Sequence, residues 1–214
     1  MILMAINYEV KQGDCISSIA FEHGLLPNII WDHANNAELK SKRKNPNILL
    51  PGDGVFVPDK RLKEVNEPTN QVHKFKFQGA PAKLNLKLLD DGEPISNEPF
   101  VLDINGKITE GTTDHEGRIR VSIVPNAESG ELIVGTGKNR YEYSLDLGWL
   151  DPIEQVSGVK KRLHNLGYEA GIFDERITDE LADALTAFEF DHKLEQTGQI
   201  TEKNRTKLKE VYGC

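Results

Sequence analysis

The hydrophobic period of this chain changes twice along its length, and that limits the fold more than any single motif does. From Val72 to Leu147 apolar residues alternate with polar ones, as in Leu84, Leu86 and Leu88 or in Phe100, Leu102 and Ile104. A strand buries every second side chain, so this stretch is expected to be antiparallel β structure with one face covered. On either side the apolar residues recur at three and four, the spacing of a helix with one buried stripe. The expected fold class is multidomain α+β. It comprises a βααβ unit at 1–59, a linker at 60–71, a small antiparallel β-sandwich at 72–150 and a three-helix unit at 151–214. Units of roughly 60–80 residues hold only small cores, so each is expected to be modestly stable alone.

Charge narrows the partners. With 26 basic against 34 acidic side chains the net charge is −8, which argues against nonspecific DNA binding and against adhesion to anionic lipid. The longest apolar runs fall far short of the ~20 residues of a membrane helix. The start, MILMAI, lacks the basic flank, long apolar core and small-residue cleavage site of a secretory signal, so synthesis in the cytoplasm without a signal peptide is expected. Cys15 and Cys214 are too few and too far apart for a disulfide framework. Cys15 reads as a packing residue, and Cys214 lacks the C-a-a-X context of a prenylation site.

In the first unit, Tyr8-Glu9-Val10 reads as a strand and Gly13-Asp14 as a turn, with Asp14 capping a helix over 15–23. A second helix is expected from Asn28 to Asn36, and the basic run Lys40 to Lys44 reads as a solvated loop. Pro51-Gly52-Asp53 makes a turn before the closing strand Val55-Phe56-Val57-Pro58. Tyr8 to Asp14, Ile16 with Ile19-Ala20, Asn47 to Gly52 and Val55 to Pro58 together resemble the LysM domain, a glycan-binding module. The resemblance implies a shallow groove for N-acetylglucosamine chains between the first strand–helix loop and the loop before the second strand. Its implied contacts are Gly13, Asp14, Cys15, Ile16, Asn47, Ile48 and Leu49. The stretch Glu38 to Lys44 lengthens the family pattern beside that groove, where it either blocks or extends it. Gly13, Asp14, Pro51 and Gly52 are equally required by turns and caps alone, so a sugar groove and a purely structural pair of loops both fit.

In the second unit, Asn105-Gly106 is a strong hairpin signal. A second turn runs from Thr112 to Arg118, and further strands are expected around Ile119 to Ile123, Leu132 to Val134 and Tyr141 to Leu145. The run from Pro99 to Asp114, with Gly117-Arg118, resembles the sandwich modules of carboxypeptidase-regulatory or transthyretin type. That implies a spacer or interaction surface without catalytic residues. Asp114, His115 and Glu116 are successive residues pointing in different directions, which favours turn chemistry over a metal site.

The third unit has Val156, Val159, Leu163 and Leu166 on a first helix stopped by Gly167. Thr178 caps a second helix with Leu181, Leu185 and Phe188 on its apolar face, and Thr201 caps a third bearing Leu208 and Val211. Val159 to Tyr168, Gly171 to Asp174, Ala184-Leu185, Ala187-Phe188 and Thr197-Gly198 resemble the peptidoglycan-binding-domain-one family. The implied contacts are Leu166, Gly167, Tyr168, Asp174 and Phe188, of which Leu166 and Phe188 fit a core better. Glu175 and Glu189 depart from that family's usual Gly and Gln, a change that bears on the binding edge more than on the fold.

Catalytic signatures do not accompany these modules. The six histidines form no H-E-x-x-H, and neither G-x-S-x-G nor a phosphate-binding G-x-x-x-x-G-K-[ST] occurs. The expectation is a nonenzymatic protein that needs no cofactor and no metal. Its expected function is noncatalytic binding of peptidoglycan or another N-acetylglucosamine polymer, with two weak sites reinforcing each other through effective concentration. The three modules in this order resemble small proteins that accompany spike and effector components of type VI secretion and related contractile injection systems. That resemblance implies delivery to a periplasm by the apparatus. The competing readings are an adaptor or chaperone that binds an effector or spike protein without touching sugar, and an immunity protein. A polar groove favours sugar, whereas a large apolar patch favours a protein partner.

Overall fold

The computed structural model describes residues 5–60, 70–72 and 82–213. Most of the expected linker, the residues around Phe75 and Phe77 and the terminal Cys214 lie outside the described residues. The fold is mixed α+β, with six α-helices and several small antiparallel sheets. Among the described residues no helix is long and apolar enough to cross a membrane.

The first unit opens with β1 (Ile6–Glu9), which pairs antiparallel with β2 (Gly54–Val57), Ile6 opposite Val57 and Glu9 opposite Gly54. Between them lie α1 (Ile16–Glu22), α2 (Pro27–Trp31), a 3-10 turn (Ala34–Asn36) and α3 (Ala37–Arg43). The cap of α1 is Cys15 rather than Asp14. Its Sγ accepts from Ser18 N–H at 3.4 Å, and Ser18 Oγ accepts from Cys15 N–H at 2.9 Å. The Asp14 carboxylate is drawn instead to the Tyr8 hydroxyl and Lys11 N–H, each at 2.8 Å.

The basic run expected as a loop is helical through Arg43, with Lys44 at φ +60 closing α3. Leu39 and Arg43, one turn apart, face inward while the lysines between them face out. Leu39 joins the core of Val10, Ile16, Ile19, Ala20, Ile30, Leu49, Val55 and Val57. Arg43 makes a bidentate pair with buried Asp53, at 2.6 and 2.7 Å. Burial raises the Asp53 pKa, but the Arg43 guanidinium and the Leu50 N–H outweigh it and hold the carboxyl below its usual range. Buried Asn36 ties α2 to β2, donating to Ile30 and Phe56 carbonyls and accepting from Phe56 N–H, all at 2.8 Å.

The second unit holds β3 (Ala82–Lys87), β4 (Leu89–Asp90), β5 (Glu93–Pro94), β6 (Pro99–Ile104), β7 (Lys107–Thr112), β8 (Arg118–Ile123), β9 (Ser129–Val134) and β10 (Tyr141–Asp146). One sheet has the order β10-β9-β6-β7, and β3 with β8 forms a separate ribbon. Asn105 and Gly106, both at positive φ, make the β6–β7 hairpin turn. Leu84, Leu86 and Leu88 pack against the same cluster as Phe100, Leu102, Ile104, Leu132 and Val134, so the alternating faces meet. The Asp114 carboxylate accepts from Glu116 and Arg118 N–H groups at 2.9 Å, which assigns that residue to the turn.

The third unit consists of α4 (Val156–Asn165), α5 (Asp179–Asp191) and α6 (Glu202–Tyr212). Thr178 and Thr201 cap α5 and α6 as expected. Val159, Leu163, Leu181, Leu185, Phe188 and Leu208 are buried together with Ile153, Ala170 and Ala184, whereas Val211 is exposed.

Candidate functional site

Two surfaces carry the expected contacts. In the first unit the loop before α1 and the loop before β2 are joined, because Ile16 N–H donates to the Pro46 carbonyl at 2.9 Å and Ser17 Oγ lies 3.5 Å from Asn47 Oδ1. Asn47 is exposed, and Gly13, Asp14 and Cys15 are half-buried. Ile16, Ile48 and Leu49 are a correction: their side chains are buried as apolar core and do not face the groove. The alternation that turns a loop residue inward was not separable, from sequence, from one that turns it toward a ligand. Tyr8 backs the first loop, its hydroxyl pKa pushed up by burial and by the bonded Asp14 carboxylate.

The third unit offers a second surface around the α4–α5 connection. Leu166 is half-buried against the core, Gly167 takes φ +93 at the exposed end of α4, and Tyr168 packs edge-on to Phe188 at 5.6 Å. The Tyr168 hydroxyl donates to Asp191 at 2.8 Å, and burial with that carboxylate pushes its pKa up to about 12. Phe188 is wholly buried, as the core reading required.

Asp174 is half-buried and already engaged. It accepts from Lys160 Nζ at 2.7 Å and from Arg176 Nε at 2.5 Å. These bonds hold its carboxyl well below the usual range. The Lys160 side chain is 0% exposed, and its ammonium also donates to the Ile172 carbonyl at 2.9 Å. The two departures from the family pattern prove to be structural. Glu175 accepts from the first amides of α4, Val156 at 3.0 Å and Ser157 at 3.1 Å, where a negative charge suits the helix dipole. Glu189 is buried on α5 and accepts from Thr197 N–H, Thr197 Oγ1, Gly198 N–H and Asn204 Nδ2 at 2.6 to 3.0 Å.

The loop pinned by Lys160, Asp174 and Glu175 presents apolar side chains that the sequence reading did not assign to the site. Ile172 is 75% exposed, Phe173 44% and Ile177 75%. The available signal was the apolar pair inside Gly171-Ile172-Phe173-Asp174, where neither a helix nor a strand period calls for buried residues. Among the described residues no group of three or more His, Cys, Asp or Glu side chains is placed to hold a metal ion. A cleft of about 90 Å³ between Leu102, Lys107, Ser122 and Val124 is well below the ~300 Å³ of ordinary small-ligand pockets.

Residues 153–208 match the model of the family described as "Putative peptidoglycan binding domain". This stretch coincides with the α4–α6 unit and its pinned loop, and a domain of this family suggests noncatalytic binding of peptidoglycan. Comparison with curated proteins and with solved structures finds no match.

Proposed function

We propose that the protein is a nonenzymatic binder of peptidoglycan, with residues 153–208 as its principal wall-binding element. The family match over those residues carries the reading. The pinned loop supports it physically: Ile172, Phe173 and Ile177 offer an apolar surface to the C–H faces of sugars, held in place by the Lys160–Asp174 pair. The first unit, read as LysM-like, supplies a second and weaker glycan contact through Gly13, Asp14, Cys15 and Asn47. The β-rich unit acts as the spacer. Linking two weak sites raises avidity without new contacts, provided both reach glycan strands at once. The order of the three units supports a place beside the spike or effector components of a contractile injection apparatus.

Sedimentation of the purified chain with insoluble peptidoglycan sacculi tests this. Saturable co-sedimentation is expected, weakened by the exposed-surface double substitution Ile172→Glu, Ile177→Glu. No sedimentation of the intact folded protein overturns the reading. A second reading, an adaptor that grips an effector or spike protein, is favoured by the same three exposed apolar side chains. It predicts that the double variant loses a protein partner while sacculi bind neither form.

A further inference from the structure

The β-rich unit is followed by Leu147, Gly148, Trp149 and Leu150, and this short connection does not run free. Gly148, at φ +79, lies so close to the first unit that a Cβ there would collide with the Gly13 carbonyl. The Trp149 indole Nε1 lies 3.8 Å from where a Cβ on Gly13 would sit. On its other side the connection is fastened to α4, because Lys161 Nζ donates to the Trp149 carbonyl and to buried Asp151, both at 2.7 Å. An aromatic side chain from outside the first unit therefore stands beside the first lip of its candidate groove.

A tryptophan whose task is only to join two units is normally buried and gives its N–H to an acceptor. Trp149 is 48% exposed, and no acceptor among the described residues takes its indole N–H. The close approach to Gly13 and the Lys161 bond hold the main chain at residues 148 and 149 before any ligand arrives, so little backbone freedom remains to be lost on binding.

We propose that Trp149 completes the groove of the first unit as a composite site, an aromatic platform for one pyranose ring of an N-acetylated glycan. This rests on the glycan-binding reading of that unit. The flat indole covers the apolar C–H face of the sugar, and its N–H is free for an acetamido carbonyl. Gly148 is then required, since a side chain there would collide with the Gly13 carbonyl and push the platform away from the lip.

Titration of the full chain with tetra-N-acetylchitotetraose, followed by tryptophan emission, tests the proposal. The chain has two tryptophans, and Trp31 lies in the first unit under the Lys40 ammonium at 5.9 Å. Wild type is expected to show a saturable change in emission. Trp149→Phe keeps most of the affinity but loses most of that change. Trp149→Ala weakens binding by at least about fivefold, the loss that separates the minority of contact residues that matter from the rest. Gly148→Ala, which leaves the indole in the chain but displaces it, also weakens binding while the circular dichroism spectrum stays unchanged. Trp149→Ala binding as tightly as wild type overturns the proposal. If Asn47→Arg on the opposite lip abolishes binding in that case, the groove reading stands and the platform alone fails. If the folded wild type binds no chito-oligosaccharide, the groove reading fails and takes the platform with it.

Discussion

Replacing Glu189 by Gln is the sharpest test of how the third unit is held together. The carboxylate is buried and takes four donors, two on each oxygen. In a glutamine one of those oxygens becomes an NH2 group. The remaining oxygen can still take the Thr197 and Gly198 amides, and the Thr197 hydroxyl can rotate to accept. Asn204 Nδ2 cannot reverse without giving up its 2.7 Å bond to the Gln199 carbonyl. One charge-assisted bond is thus lost outright, worth about 1.5–3 kcal/mol.

Amide hydrogen exchange of peptides from α5 reads the loss locally, which matters because a chain with three separate cores need not unfold in one step. Exchange there is expected to speed up about 10- to 150-fold at pH 7, with peptides from α1 and β2 unchanged. The difference also has a pH signature. Burial raises the Glu189 pKa, but the Gly198, Thr197 and Asn204 donors outweigh it, so the folded value is lowered. The carboxylate therefore stabilises the fold fully above the unfolded value of about 4.3, and this is lost as pH falls through the lower folded value. Wild type and variant should converge as pH drops below about 4. A gap that stays constant with pH, or exchange accelerated less than about threefold, refutes the role given to the charge.

Two further substitutions probe single contacts. Gly158→Ala gains about 1 kcal/mol of helix propensity, yet a Cβ there would collide with the Pro152 carbonyl. A net loss of about 1–2 kcal/mol is expected in thermal melts, and stabilisation would refute the close approach. Asn36→Ala takes the partner from the Phe56 carbonyl and amide, while the Ile30 carbonyl keeps the His33 N–H, for an expected loss of about 2–4 kcal/mol. The melting of that unit, followed by Trp31 emission in a Trp149→Phe background, reads it, and an unchanged midpoint refutes the bridging role.

Residues whose partners lie within one turn were legible from sequence. The caps at Thr178 and Thr201, the Asn105-Gly106 hairpin and the apolar stripe of α5 all depend on neighbours three or four positions away or directly across a turn. The misreadings share a different cause. Asp14 looked like the cap of α1 until Tyr8, six residues back, took its carboxylate. Arg43 looked like part of a solvated basic run until Asp53 supplied a buried partner. Glu175 and Glu189 suggested an altered binding edge, although their partners lie inside the fold, at the start of α4 and in the loop before α6. A charged residue carries no mark in the sequence of whether its counter-group is water, a ligand or a distant amide. The candidate contacts were legible as turns, but which side chains faced outward was not.

The clasp at the start of the third unit has a mechanical consequence. Lys161 and Arg162 reach back from the middle of α4 to grip the carbonyls of Trp149 and Asp151, and Arg162 also holds the Gly158 carbonyl of its own helix. Tension arriving from the upstream chain therefore meets several bonds arranged side by side and seated well inside the helix, rather than the helix end alone. Bonds loaded in parallel share the force, whereas bonds loaded in series break one after another. A wall-bound third unit pulled through residue 148 would transmit strain to its grip on the wall before its first helix began to unravel.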